Sequence, residues 1–274
     1  MKIKMKQEVA ILMSTYNGER FLAEQIESLL AQTHVRWRLY IRDDGSTDGT
    51  LAILRRYAAR DLRILLCDDP EPHRGVRDSF LWLLRHVEED RYMFCDQDDV
   101  WLPEKIAVSL VALPPDEETP ALVCTDLKVT DQDLNVTEES MWRANHTADI
   151  ALRPEFLRVA AMYPGCTMLF NRAARDAVLE NDRFPGMIHD QAVSLSVLKA
   201  GGSIIPLPQA TILYRQHGGN AIGTAASKGY VRRKLASLAT VWRENRKYYQ
   251  TVHSFLGMPL REFLTLKLRH LLKY

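Results

Sequence analysis

Apolar runs and helical patterns alternate along the first hundred residues. Val9–Met13 is continuously apolar and reads as a buried strand, after which Phe21, Ile26, Leu29 and Leu30 recur at helical spacing. Trp37–Ile41 predicts a second strand, followed by a helix through Leu51, Leu54 and Tyr57. Ile64–Cys67 predicts a third strand, and Phe80, Leu83, Leu84 and Val87 mark a third helix. Tyr92–Cys95 is the fourth strand. Strands alternating with helices at this spacing make βαβ units and a mostly parallel central sheet flanked by helices.

The second half is less regular. Ala121–Val129 and Gly165–Phe170 predict strands, and Arg172–Leu179 a helix. A further helix runs from Gln191 to Lys199 and stops at Gly201-Gly202, before short strands at Ser203–Pro206 and Thr211–Tyr214. The expected organisation is a body over 1–224, in two halves at about 1–100 and about 101–224, and a helical extension over 225–274.

On an open α/β sheet, ligands bind at the carboxyl ends of the strands, so the loops there carry the candidate chemistry. They read Ser14-Thr15-Tyr16-Asn17 after the first strand, Asp43-Asp44-Gly45-Ser46-Thr47-Asp48 after the second and Asp96-Gln97-Asp98-Asp99 after the fourth. Helix capping accounts for some Ser, Thr, Asn and Asp in such loops, but hardly for all of them. Three carboxylates within four residues repel one another and suffer desolvation unless a cation or solvent compensates them. Hard divalent cations take oxygen ligands and share their coordination with phosphates, so the acidic run points to a metal-diphosphate corner. The bland reading is an acidic turn ahead of a helix starting near Leu102-Pro103-Glu104-Lys105, with Asp99 as its cap.

The composition, 46% hydrophobic and 26% charged over 274 residues, is that of an ordinary globular protein. The four cysteines are widely spaced, which suggests neither a zinc site nor a disulfide framework. Val9–Met13 is too short for a signal peptide's apolar region, and no run approaches the ~20 apolar residues of a membrane span. A cytoplasmic location is therefore expected. The net charge of +1 conceals an asymmetry: residues 225–274 hold eleven Lys/Arg against two Glu, a balance of +9, leaving −8 on residues 1–224. In that tail, cationic residues such as Arg232, Arg243, Arg246, Arg261 and Arg269 interleave with leucines and aromatics. Such amphipathic helices suit peripheral contact with an anionic membrane at its inner face. Packing on the catalytic unit, or forming a homodimer, suits them equally. Nucleic acid is excluded as a partner by the acidic body and the lack of any binding motif.

Taken as an ordered set, the segments Ala10–Gly18, Arg42–Thr50, Cys95–Trp101, Gly165–Met168, His189-Asp190-Gln191 and Tyr214–Asn220 resemble the GT-A glycosyltransferases of family 2. The aspartate-glutamine-aspartate-aspartate run, with histidine-aspartate and tyrosine-arginine-glutamine-histidine, is most similar to the bacterial rhamnosyltransferases. The resemblance implies a GT-A fold, with 1–224 as the catalytic unit, a nucleotide-binding half at about 1–100 and an acceptor half at about 101–224, and inverting transfer of a sugar from a nucleoside-diphosphate donor of the dTDP or UDP type. The implied acceptor is a glycan or lipid-linked glycan in surface polysaccharide synthesis, and the implied cofactor is Mn²⁺ or Mg²⁺. By the same resemblance Asp190 is the general base, and Ser14, Thr15, Tyr16, Asn17, Asp43 and Asp44 hold the nucleotide. Asp98 ligates the metal, with Asp96 between metal and ribose and His217 as a further ligand. Arg215 is expected to pair with the diphosphate through its planar fork, and Gly218-Gly219-Asn220 to form a hinge. His189 and Gln191 orient the acceptor. Two departures, Arg77-Asp78-Ser79 after the third helix's glycine and Gln191 in place of a common tryptophan, bear on which sugar is handled.

Two other functions use some of the same features. A sugar-nucleotide nucleotidyltransferase shares the sheet and carboxylate-bound metal, but Ser14–Gly18 is too short and uncharged for its glycine-rich, lysine-bearing phosphate loop. A non-catalytic protein held at a membrane surface by the basic tail has no need for Asp43, Asp98 and Asp190 together.

Overall fold

The structure, a computed structural model, describes residues 8–181, 187–218 and 238–272. The predicted hinge at Gly219-Asn220 and the basic stretch 225–237 lie outside the described residues.

Strands β1 (Val9–Thr15), β2 (Trp37–Asp43), β3 (Ile64–Leu66) and β4 (Arg91–Cys95) alternate with helices α1 (Leu22–Leu30), α2 (Thr50–Ala58) and α3 (Gly75–His86). β1 lies between β2 and β4, β3 extends the sheet beyond β2, and all these pairings are parallel. β1 and β4 are covered on both faces, which is why they read as unbroken apolar runs rather than alternating ones.

The chain then forms β5 (Val100–Trp101), α4 (Lys105–Ala112), β6 (Ala121–Thr130), β7 (Val136–Glu138), α5 (Met141–Ala144) and α6 (Ala148–Ala151). After two 3₁₀ turns come β8 (Met168–Asn171), α7 (Arg172–Leu179), α8 (His189–Lys199) and β9 (Ser203–Arg215). The sheet order is β3-β2-β1-β4-β8-β6-β9-β5, with β7 on the side of β6. β8 runs antiparallel to both β4 and β6, so the parallel half and the second half share one continuous sheet.

Three expectations change in detail. Ser203–Pro206 and Thr211–Tyr214 are the two ends of a single strand, β9, which keeps pairing with β6 through two register shifts. Pro206 and Pro208 make the sequence read as a break, because proline cannot donate to a ladder; the bulged register absorbs them. Gly165–Thr167 is a 3₁₀ turn rather than strand, and β8 starts at Met168. The helix expected from Gln191 starts at His189, which moves Asp190 from a capping position into the first turn.

Helices α9 (Leu238–Leu256) and α10 (Leu260–Leu272) lie against the 3₁₀ turn Pro154–Arg158. Tyr248 Oη donates to the Leu157 carbonyl at 2.6 Å, Lys267 Nζ to that of Val159 at 3.0 Å, and the His270 and Phe156 rings meet edge-on at 5.5 Å. Gly257, at φ 69°, makes the corner between the two helices in a backbone region that favours glycine.

Candidate active site

The loops after β1 and β2 are tied into one platform. Thr15 Oγ1 donates to Asp43 Oδ1 at 2.8 Å, and the Ser46 N–H and hydroxyl reach the same carboxylate at 2.8 and 2.6 Å. Asn17, held at φ 47°, donates its N–H to the Ser46 hydroxyl oxygen and accepts the Thr47 N–H on its side-chain oxygen. Ser14 is half-buried at the end of β1, while Tyr16 is half exposed, with its ring edge-on to His73 at 6.0 Å. These positions leave an open aromatic face beside the Asp43 carboxylate, whose two oxygens accept four bonds within the platform, the fourth from the Gly45 N–H at 3.2 Å. Asp44 is placed differently. Its carboxylate accepts from the fully buried Arg42 guanidinium at 2.7 Å and from the N–H groups of Arg74 and Gly75. Burial opposes its ionisation, but these bonds outweigh that and hold Asp44 below the ordinary carboxylate range. Asp44 therefore braces the start of α3, and Asp43 is the carboxylate left at the platform's edge.

The acidic run sits beside this platform. Gln97 bonds the Tyr16 backbone in both directions, at 2.9 and 3.1 Å, so the β1 and β4 loops move as one. Asp98 Oδ2 lies 2.8 Å from His217 Nε2, bringing together two predicted metal ligands from residues 119 apart in sequence. Asp99 does not cap α4, which begins at Lys105; its buried carboxylate accepts the Arg215 N–H at 3.1 Å. Asp99 thus pins the end of β9 to the acidic loop. Burial pushes Asp96 and Asp99 above the usual carboxylate range, and the neighbouring acidic charges push them further.

Arg215 also departs from expectation. Its guanidinium donates to the carbonyls of Asp98 at 2.8 Å and Gln132 at 2.6 Å, pairs with Glu24, and stacks on Phe21 at 4.4 Å. The fork is directed into the protein, where it holds the backbone of the acidic loop. The same Phe21 ring meets His217 at 4.8 Å, so Arg215 and Phe21 together set where His217 stands.

Asp190 comes from the first turn of α8. Its carboxylate accepts the Gln191 N–H at 2.6 Å and a backbone N–H of Gly165, next to Cys166. Burial raises its pKa to about 7, with a further push from the Asp96 charge. His189 lies behind it, stacked on Phe80 at 4.2 Å and edge-on to Phe94 at 4.8 Å. Burial lowers the His189 pKa to about 3, so the imidazole is neutral and packs as a ring. Gly165 has no alternative: a Cβ there would meet His189 Nε2 at 2.6 Å. Gln191 lines a small cleft together with Ser194, Tyr163 and Tyr248.

Several members of the site were not foreseen. Cys166 brings its sulfur within 4.8 Å of Asp96 and Asp99 carboxylate oxygens. Lys105, read as part of a helix start, is fully buried with its ammonium 4.7 Å from the Trp101 ring. Burial lowers its pKa to about 8. No sequence signal marks a buried lysine, since lysine's default is solvent. Gln97 did have a signal, its place inside the acidic run, which the carboxylates on either side overshadow.

A parallel βαβ half carrying an acidic corner at its strand ends, continued by an antiparallel half that supplies a carboxylate from a helix start, defines a GT-A-like fold. The chain belongs to glycosyl transferase family 2, whose pattern matches residues 10–179. It is 35% identical over 98 residues to the dTDP-rhamnosyl transferase RfbG of Shigella flexneri, covering 34% of each protein. It is 28% identical over 102 residues to the UDP-Glc:alpha-D-GlcNAc-diphosphoundecaprenol beta-1,3-glucosyltransferase WfgD of Escherichia coli, covering 37% of this chain and 39% of that one. The matches thus span little more than a third of these relatives. Among solved structures, the mannosyltransferase PcManGT of Pyrobaculum calidifontis, in complex with GDP-Man and Mn²⁺, superposes with a TM-score of 0.58 at 18% identity, over 96% of this chain and 74% of that one.

Proposed function

We propose that this protein transfers a sugar, with inversion, from a nucleoside-diphosphate sugar to a hydroxyl of a glycan acceptor in bacterial surface polysaccharide synthesis. The observation that carries this reading is the proximity of two opposed chemistries. Asp190, held near neutrality in its pKa, lies close enough to the acidic corner to feel the charge of Asp96. A base and a diphosphate site must flank one anomeric carbon for in-line displacement, and a buried carboxylate within electrostatic reach of the acidic corner supports that reading. The acceptor hydroxyl loses its proton to Asp190 as its oxygen bonds to the anomeric carbon. The bond from that carbon to the diphosphate oxygen breaks on the opposite face. A base with a pKa near 7 suits this task, worth typically ~10²–10⁴-fold.

The residues fit a divalent cation. Asp96 and Asp99 are raised by burial and then by neighbouring acidic charge, that of Asp98 on both and that of Asp96 on Asp99, which a cation offsets. The oxygens of Asp98 and Asp96 and the imidazole of His217 are the donors we assign to it, a set suited to Mn²⁺ or Mg²⁺. Cys166 is a poor ligand for a hard cation, and burial keeps its thiol protonated. When bound, such an ion offsets the charge that develops on the leaving diphosphate. Thr15, Tyr16, Asn17 and Asp43 hold the nucleoside in this reading, with Ser14 beneath them. Asp44 and Arg215 brace the loops, while His189 and Gln191 shape the acceptor side. Residues 1–224 form the catalytic unit and 225–274 its appendage.

The name of the Shigella flexneri relative favours dTDP-rhamnose as the donor, and that of the Escherichia coli relative favours a lipid-diphosphate-linked acceptor. The test is incubation with dTDP-, UDP- and GDP-sugars, with Mn²⁺ or Mg²⁺ and without metal, measuring released nucleoside diphosphate. Metal-dependent release from one donor, with a product of opposite anomeric configuration by proton NMR, is expected. Pyrophosphate release would point to nucleotidyl transfer, and the absence of any nucleotide response would overturn the assignment.

A further inference from the structure

Helix α10 has two apolar faces, and the described residues cover only one of them. Phe263 and Leu266 are buried, Phe263 packs on Tyr249 at 5.1 Å, and His270 meets Phe156. This inward face attaches the helix to the catalytic unit. On the other side stand Leu260, Leu264, Leu268, Leu271 and Leu272, each at least 50% exposed. Their spacing of four, four, three and one residues keeps them within one stripe of the helix. Scattered exposed leucines are ordinary, but five in one stripe are not, and such patches mark interaction surfaces.

We infer that this outer face of α10 docks the protein flat onto an anionic lipid bilayer. The charge around the stripe selects the partner. Arg261 and Arg269 are exposed on the same helix, and Arg243, Arg246 and Lys247 on α9, with only Glu244 and Glu262 opposing them in the described part of the two helices. Residues 225–274 carry a balance of +9 against −8 on the remainder. A second copy of the chain would bring two such cationic surfaces together, which disfavours self-association through this face. An anionic headgroup layer complements it, with the leucines entering the interface between cations. Its 13 described residues are fewer than the ~20 a span requires, and no helix among the described residues is long and apolar enough to cross a membrane.

The placement has a functional consequence, which rests on the transferase reading above. α10 packs on the Pro154–Arg158 turn, whose Leu157 lines the same cleft as Gln191 and receives the Tyr248 hydroxyl from α9. Docking of α10 therefore sets the acceptor-side cleft close to the bilayer, within reach of a glycan carried on a lipid diphosphate.

The experiment is co-sedimentation of the full chain with phosphatidylcholine vesicles with and without phosphatidylglycerol, at low and high salt. The double variant Leu264→Ser/Leu268→Ser is compared; both positions are exposed, so the fold is retained, and an unchanged Tm verifies this. The unaltered chain is expected to pellet with the anionic vesicles and to release as salt rises, while the variant binds about tenfold or more weakly. Equal binding by the two, or no preference for anionic vesicles, overturns the proposal. So does a dimer by light scattering that the double substitution converts to monomer, because a second copy then occupies the face. No sugar donor enters this assay, and thermal shifts with nucleotide and Mn²⁺ on the same variant report separately on the donor site.

Discussion

Replacing Asp190 by Asn is expected to stabilise the protein at alkaline pH while abolishing transfer. The Asp190 carboxyl is 9% exposed, and burial raises its pKa from 3.8 to about 7. In the unfolded chain it ionises near its ordinary value, so between those two pH values only the folded state keeps the proton. Stability from this group is therefore greatest in acid, declines as pH rises through that window, and is level above it. Three units at 1.36 kcal/mol each make the ionised form unfavourable by about 4 kcal/mol at pH 8. Asn removes the charge and keeps an oxygen to accept the Gln191 N–H, but it adds a buried amide donor. An unpartnered donor costs about 1–3 kcal/mol, leaving a net gain of about 1–3 kcal/mol. For a chain of this length that raises the Tm by about 2–8 °C at pH 8, a gain that vanishes or reverses at pH 5. Scanning calorimetry across that pH range measures it, and nucleoside diphosphate release measures transfer, which should fall ~10²–10⁴-fold with donor-induced thermal shifts unchanged. Equal Tm values for the two proteins at pH 8 would show that Asp190 is solvated and the reasoning wrong. Unchanged turnover would remove it as the base.

The other expectations concern separate parts of the site. The transfer rate of the unaltered enzyme should drop as pH falls below about 7, with the slope of one proton, since protonated Asp190 accepts nothing; a flat profile from pH 5 to 8 contradicts this. Asp98→Asn should lose the Mn²⁺-dependent part of nucleotide stabilisation, which for the unaltered protein reaches about 2.7 kcal/mol at 100 times Kd; retention of the full shift would move the metal elsewhere. Gly165→Ala drives a Cβ into His189, whose ring is clamped by Phe80 and Phe94, so it should cost about 1–3 kcal/mol and slow transfer together; an unaltered Tm would mean the ring is free to move. Asp44→Ala removes one of two carboxylates on the buried Arg42 guanidinium, whose charge Asp69 still pairs at 2.7 Å, and should destabilise by about 1–3 kcal/mol. A loss of nucleotide affinity at unchanged Tm would instead restore Asp44 to the binding surface.

The parallel half was legible because each of its signals is local. A strand buried on both faces must be apolar throughout, and Val9–Met13 and Tyr92–Cys95 are. The helices between them show one apolar stripe each, so the alternation could be read with no tertiary information. The second half depends on long-range pairing. β8 is four residues long and gains its place only by lying between β4 and β6. β9 survives two prolines because β6 adjusts its register to them, and no window within β9 records that adjustment.

At the candidate site, which segments meet was legible in part and side-chain direction was not. Asp98 and His217 meet because the segments after β4 and β9 lie together at one edge of the sheet, a consequence of topology, whereas Asp190 comes from the first turn of α8. Arg215 lies at the same edge, yet its guanidinium turns inward to Glu24, the Gln132 carbonyl and the Phe21 ring. The sequence of the motif is silent on this, since three of the four partners come from outside the segments that carry the resemblance. Two cationic side chains, Arg42 and Arg215, are almost fully buried beneath the acidic loops, and each braces backbone or carboxylates that face the site. An acidic surface presented to a diphosphate and its cation has to be rigid before the cation arrives, because flexible carboxylates would swing apart to reduce their repulsion. Internal guanidiniums supply that rigidity from behind with planar, directional bonds. On this argument Arg215→Lys should leave the charge in place but loosen Asp98, so that metal affinity falls more than global stability. Mn²⁺ titration by thermal shift reads the first and chemical denaturation the second, and equal losses in both would reduce Arg215 to a purely structural residue.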